Sequence, residues 1–422
     1  MRIGFACLTV GVRETALKSC NQKNANEDHL LYLIRHNLEV LDRMLQYDVQ
    51  HKVKMMRISS DIIPFGSSPV NQLDWTKLFE IELRKLGDYI MKNDIRVSMH
   101  PGQYTVLNSP DEGVVKRAVE DLEYHARFLD ALGVPASHKI ILHIGGIYGD
   151  KAKAKERFEK VYKTLAKSIK RRLIIENDDR LFTISDVLEL GESLDIPVVY
   201  DNLHNWVNPS DVRVPDRAWI DRASMTWRKE DGHPKIHYSQ QAKDKRLGAH
   251  TETIYIDEFL GFIANLGEVK PDIMLEVKDK NLSALKCIHA LTDQKRIGIL
   301  EKEWEKYKYY VLERSPSAYS EIRALLKDKS SFPAVSFYRW IESSQGESLE
   351  YGRVVNAVQH VWGYFRGIAD AREINQFEKL YASLERPEVD LNHSVERLKR
   401  FILRLAIKYE VNYLIDSLYF YL

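Results

Sequence analysis

The chain has 422 residues, with 62 Lys and Arg against 61 Asp and Glu and a formal charge of +1. That length can bury more than one core, while the charge balance excludes a globally basic nucleic-acid binder and leaves only local basic surface for such a partner. Cys7, Cys20 and Cys287 form no CxxC pair, and no apolar run approaches the ~18 residues of a membrane span. The composition therefore points to a soluble cytoplasmic protein with no disulfide framework, zinc ribbon or membrane partner.

From the N-terminus, apolar and often β-branched runs of strand length fall at 2–8, 54–60, 96–100, 139–145, 172–177, 197–202, 235–239 and 272–277. Between them lie segments of helical periodicity at 30–47, 75–91, 114–132, 154–170 and 185–194, then around 215–227 and at 256–266. Repeated strand-helix alternation with buried-strand composition predicts an α/β fold, a TIM (β/α)8 barrel; an open doubly wound sheet is the alternative. The Lys-rich run 151–172 reads as a solvated outer helix face rather than a nucleic-acid arm. Beyond about residue 291 the pattern changes to amphipathic helices rich in Tyr and Trp. The expected division is a barrel domain over 1–290 and a mostly α-helical C-terminal domain over 291–422. The aromatics of this C-terminal domain at helical spacing read as core rather than a stacking platform, while Arg353 and Arg366 beside Tyr351, Trp362, Tyr364 and Phe365 leave a binding role open.

The strands share an ending. SMH closes on His100, IILH on His143, RLIIE on Glu176, PVVYD on Asp201, KIH on His237 and DIMLE on Glu276. DNLH adds His204 on the turn after Asp201, and GAH adds His250 in the loop after the seventh strand. In a barrel the C-terminal strand ends gather on one face. A lone histidine there is often a hydrogen-bonded core residue and a lone carboxylate often a helix cap. The ordered set of nitrogen and oxygen donors without thiolates instead suits zinc, manganese or iron. Glu176 and Asp201, at adjacent strand ends, are placed to bridge two ions. Two or three ions so held suit phosphoryl transfer, in which they neutralise the attacking and leaving oxygens. Gln103 and Tyr104 follow His100 across Pro101-Gly102 and are expected at the rim, an amide and an aromatic able to probe a distorted duplex. Two other classes stay open on the residues alone: a metal-dependent sugar isomerase or epimerase, and a non-catalytic DNA-damage binding protein working through its helical tail.

Taken in order, RISSDIIPFGSSP, SMHPGQY, LHIGGIYG, IENDD, DNLH, PKIHYS, GAH and MLEVK resemble the UV damage endonuclease family over the first 290 or so residues. The resemblance implies a TIM barrel related to endonuclease IV and a cluster of three divalent ions, with manganese usual and zinc or magnesium as alternatives. It implies nicking of damaged double-stranded DNA immediately 5′ of UV photoproducts and other lesions, a DNA-repair reaction at the cytoplasmic nucleoid. The implied metal ligands are His100, His143, Glu176, Asp201, His204, His237, His250 and Glu276, the same set that the strand ends and their loops supply. Catalytic roles are implied for Lys235, Glu176 and Glu276, with Lys235 carboxylated, and a lesion-probing role for Gln103 and Tyr104. On the residues alone Lys235 reads as an ordinary strand-entry lysine. Two departures stand out: Ser68 sits where members often carry His, and GFACLTVG has Phe5 where they carry Tyr, with no clear Asn after it. YKYYVLERSPSAY and NAVQHVWGYF resemble an uncharacterised bacterial helical domain family, from which no activity follows.

Overall fold

The computed structural model describes residues 1–268, 270–293, 296–385 and 390–422. Eight strands, β1 Ile3–Ala6, β2 Met55–Ile58, β3 Arg96–Met99, β4 Ile140–His143, β5 Leu173–Glu176, β6 Val198–Asp201, β7 Lys235–Tyr238 and β8 Asp272–Leu275, pair in parallel in chain order, and β8 closes on β1. This is the expected (β/α)8 barrel, and the open-sheet alternative falls. The ladders are shorter than the apolar runs that announced them. After β1, for instance, Cys7 takes φ 69 and turns the chain out of the sheet.

Local chemistry sets the helix bounds. The helix Glu27–Gln50 begins before its apolar period because the Asn26 side chain accepts from the His29 amide. The helix Ile184–Leu194 starts on a Thr183–Asp186 capping box. The helix Glu112–Leu132 stops at Gly133, whose φ of 78 no other residue type adopts as easily. The single helix expected over 154–170 is two, Lys151–Thr164 and Lys167–Lys170, because Leu165 and Ala166 are extended. Ala154, Phe158 and Tyr162 form the buried stripe of the first piece, and Lys151 and Lys155 pair with Asp186, as an outer helix face requires.

Alternation along the strands stacks the barrel interior in layers. At the N-terminal end Arg96, Lys139, Arg172 and Asp272 are buried and paired. Arg96 meets Asp272 at 3.0 Å, Lys139 pairs with Asp231, and Arg172 donates to Asp130 and to the carbonyls of Val134, Pro135 and His138. Above them Ile141, Ile174 and Val199 cluster, as do Ala6, Met55 and Met274. Two positions further along their strands stand His143, Glu176, Asp201 and Glu276. The apolar layer is thus the platform of the candidate site.

The chain divides into two compact units: Met1–Thr9 with Glu14–Ile288, and Val10–Arg13 with His289–Leu422. The second unit contains the helices Ile297–Arg314, Pro316–Leu325, Ala334–Gln345, Tyr351–Trp362, Ala371–Ala382 and Leu391–Lys408. Its core holds Val358, Trp362, Phe365, Phe377, Leu398 and Ile402, with Trp362 stacked on Phe377 at a centroid distance of 3.8 Å. Trp362 and Phe365 are therefore core, whereas Tyr351 and Tyr364 remain exposed. Among the described residues no helix is long and apolar enough to cross a membrane.

Candidate metal centre

Strand register brings the donors together. The β4–β5 register sets His143 opposite Glu176, and the β6–β7 register sets Asp201 opposite His237. These four are held by the sheet rather than by loops, which is the more exact way to place a side chain. Glu176 lies at the middle. Its Oε1 is 2.8 Å from His237 Nδ1 and 3.7 Å from His204 Nδ1, and its Oε2 is 3.2 Å from His100 Nε2 and 4.0 Å from His143 Nε2. Donor atoms of His100, His143 and Glu176 lie within 4.8 Å of one another, and so do those of Glu176, Asp201 and His237. Glu176 belongs to both groups, the position of a bridging carboxylate. Around them, His204 Nδ1 is 3.8 Å from Asp201 Oδ1, and Glu276 Oε1 is 3.3 Å from His237 Nδ1. His250 joins neither group; it sits half-buried in an antiparallel bridge with Gln241.

The site fits a cation on its own chemistry. His143 Nδ1, Asp201 Oδ2 and His237 Nε2 are buried without a hydrogen-bond partner, and each such group costs about 1–3 kcal/mol if nothing meets it. His237 Nδ1 faces Glu176 Oε1 at 2.8 Å, which leaves Nε2 as the ring atom open to an ion. Burial alone would raise the Glu176 pKa, but His237, His100 and His143 hold it well below the usual carboxylate range. For Glu276, burial is likewise overcome by Arg57 and then His237, and the pKa falls. Burial pushes Asp201 up to about 6. It would lower His204, but Asp201, Glu176 and Glu276 raise that imidazole to about 9. Burial draws His143 down to about 4 and lowers His100. Three carboxylates and several neutral imidazoles facing one another suit a borderline divalent ion.

A family described as UV-endonuclease UvdE matches residues 1–308. The chain belongs to the UV-endonuclease family. The UV DNA damage endonuclease of Clostridium perfringens (strain 13 / Type A) is 40% identical over 346 residues, 81% of this chain and 82% of that protein. The crystal structure of SacUVDE matches with a TM-score of 0.65 and 36% identity, covering 69% of this chain and 98% of that one. Endonuclease IV from Thermus thermophilus matches at 15% identity and a TM-score of 0.44, covering 69% of this chain and 98% of that one. Residues 308–422 match a family described as a protein of unknown function, DUF1722. With UV-endonuclease membership established, neither the sugar isomerase or epimerase reading nor the non-catalytic one has an observation in its favour.

In this UV-endonuclease family member, Gln103 and Tyr104 occupy the turn after His100, with Tyr104 84% exposed. Gln103 lines a cavity of about 360 Å³ together with His143, His204, Asp178 and Arg180. A larger cavity of about 1030 Å³, walled by Trp206, Val212 and Phe262, contains none of the expected donors. Lys235 is a buried interior residue whose Nζ donates to Ser98 Oγ at 3.2 Å. Burial first, then Arg96 and Arg57, push its pKa far below that of an ordinary lysine. Ser68 uses its hydroxyl within its own turn, accepting from the Val70 amide, and Phe5 is fully buried.

Three positioning residues escape sequence reasoning. Arg57 Nη1 donates to Glu276 Oε1 at 2.6 Å. Its signal was a charge at a position that alternates inward with Met55 on β2. Asn177 exchanges two hydrogen bonds with the Asp201 backbone, at 2.9 and 3.0 Å, and its carbonyl oxygen lies 2.9 Å from His204 Nδ1. Asn202 exchanges two with the Ser239 backbone, both at 2.9 Å. These amides continue the ladder past β5 and β6. Their signal was an asparagine directly after a strand-ending acid, twice over.

Proposed function

We propose that this chain is a divalent-cation-dependent endonuclease that nicks damaged double-stranded DNA immediately 5′ of UV photoproducts and other lesions, leaving a 3′-hydroxyl, at the cytoplasmic nucleoid. The observation that carries the reading is the buried convergence on Glu176, with three donor atoms left unpartnered and an exposed aromatic on the loop beside His100. The residues that would hold the ions are His100, His143, Glu176, Asp201, His204, His237, His250 and Glu276. They exceed the needs of one ion and suit three, manganese first, with zinc or magnesium as substitutes. Bound divalent ions lower the pKa of water and neutralise charge on the attacking and leaving oxygens of phosphoryl transfer.

The chain's own groups prepare the rest. Glu176 presents its two oxygens to different imidazoles and stays ionised, so it is a fixed anchor between the donor groups. Arg57 orients Glu276 and keeps its charge. Asn177 fixes the strand end that carries Asp201 and the ring of His204. Burial, then Arg96 and Arg57, favour the uncharged amine of Lys235, the form that adds carbon dioxide as a carbamate, and with Glu176 and Glu276 it completes the catalytic set. The exposed Tyr104 ring stacks on a base where the duplex is distorted, and the Gln103 amide bonds that base's edge.

The test is nicking of UV-irradiated against unirradiated duplex in manganese, zinc, magnesium or chelator, with the cut mapped on a sequencing gel. Irradiated duplex should be cut 5′ of the lesion only with a cation present. Equal nicking of both duplexes, or full activity in chelator, overturns the proposal.

A further inference from the structure

The helix Leu391–Lys408 carries one Glu and five Lys or Arg residues, Arg397, Lys399, Arg400, Arg404 and Lys408. Two of these cations are already committed: Lys399 is buried against Glu313 at 2.6 Å, and Lys408 pairs with Glu373 at 2.6 Å. Arg397, Arg400 and Arg404 instead line an open groove of about 480 Å³ against the helix Ala371–Ala382, with Gln376, Leu380, Leu403 and Ile407. All three arginines are exposed. Arg400 touches Glu396 at 3.4 Å, a pair 68% exposed on both sides and therefore weak. Arg397 and Arg404 have no ion pair among the described residues. Spaced i, i+3 and i+7, the three guanidinium groups share one helix face over roughly 10 Å at a rise of about 1.5 Å per residue.

We infer that this groove of the second unit binds the phosphate backbone of duplex DNA. The duplex presents about one negative charge per 1.7 Å of axis, so the row faces several phosphates at once, and guanidinium forks match phosphate oxygens. The leucine and isoleucine floor supports the methylene stems of the arginines while their heads stay in solvent. A chain with a formal charge of only +1 needs such local patches to hold a polyanion. The choice of DNA over another polyanion rests on the reading of the barrel as a DNA endonuclease. Backbone contacts of this kind carry no sequence or lesion preference; they add affinity for DNA as such.

The test uses the full chain in chelator, where nicking plays no part, with a fluorescently labelled undamaged duplex titrated over a series of salt concentrations. The triple variant Arg397→Gln/Arg400→Gln/Arg404→Gln should bind about ten-fold more weakly, and its log affinity against log salt slope should fall by about 2 to 3. The Lys triple variant should keep the wild-type slope, which separates loss of charge from loss of fold. A Gln variant with wild-type affinity and slope overturns the inference. So does unchanged DNA binding with lost capture of polyglutamate or of phosphatidylserine vesicles, which assigns the groove to a protein or a membrane. Failure of the endonuclease reading would show separately, as absent nicking by the wild-type chain.

Discussion

At the N-terminal end of the barrel, Asp272 is gripped by Arg96, by Arg2 and by the Arg2 amide, and Arg172 commits its guanidinium to Asp130 and three carbonyls. At the C-terminal end, about as much charge is buried, yet His143, Asp201 and His237 each keep an atom that meets nothing. Both layers are built from polar and charged side chains on the same strands, Arg, Lys and Asp at one end and His, Glu and Asp at the other. What separates them is saturation. A buried charge with all its partners supplied by the chain serves the fold, whereas a buried donor set that falls short of partners is stable only with something from outside. Saturation, rather than burial, distinguishes the N-terminal layer from the site.

Substitution at each end should therefore fail in a different way. Glu176→Ala is expected to cost nicking of irradiated duplex more than about 10³-fold while leaving urea unfolding near wild type. Asp272→Ala strands Arg96 in the interior and should cost about 3–5 kcal/mol of unfolding free energy, with residual activity tracking the folded fraction. If Glu176→Ala unfolds the chain, or Asp272→Ala is tolerated, the contrast between the layers fails.

Manganese at about a hundred times its dissociation constant should stabilise the chain by roughly 2.7 kcal/mol, and Asp201→Asn should shrink that gain. Proton linkage sharpens the point. An ion needs neutral imidazole and ionised carboxylate, but His204 is raised to about 9 and Asp201 to about 6. Uptake must release protons, so affinity should climb as pH rises through that interval. Calorimetry in buffers of different ionisation heat would show it, and pH-independent uptake would contradict it.

The smallest effect concerns a buried acid away from both layers. Asp48, in the helix Glu27–Gln50, is fully buried with both carboxylate oxygens unpartnered, and burial raises its pKa well above the usual value. Its folded pKa exceeds the unfolded one of about 3.9, so the folded state binds the proton more tightly. Stability from this group is full below that pH and is lost as pH rises through the folded value. Asp48→Asn should flatten that decline, seen as a melting temperature that gains on wild type from about pH 4 upward.

Much of the barrel and of its donor set was legible because short apolar, often β-branched runs ending in His, Asp or Glu are a local pattern. His100, His143, Glu176, Asp201 and His237 fall where strand ends must converge. Arg57, Asn177 and Asn202 were missed because their partners lie on other strands, at separations that no local pattern encodes. The short helix Asn202–Val207, directly after β6, was missed too, because DNLH was read as a turn, although a strand-ending acid can also be a cap, as Asp201 is here. His250 is placed by a loop, bridged to Gln241, rather than by the sheet, so its distance from the donors is not fixed by strand register.

The two asparagine bridges rest on an amide donor that a carboxylate cannot replace. Hydrolysis of the Asn177 amide would put a carboxylate oxygen where Nδ2 now donates to the Asp201 carbonyl, and the same change at Asn202 would oppose the Ser239 carbonyl. Attraction would turn to repulsion at the seams between β5, β6 and β7. An aspartate at either position should loosen neighbouring strand ends before the barrel itself comes apart.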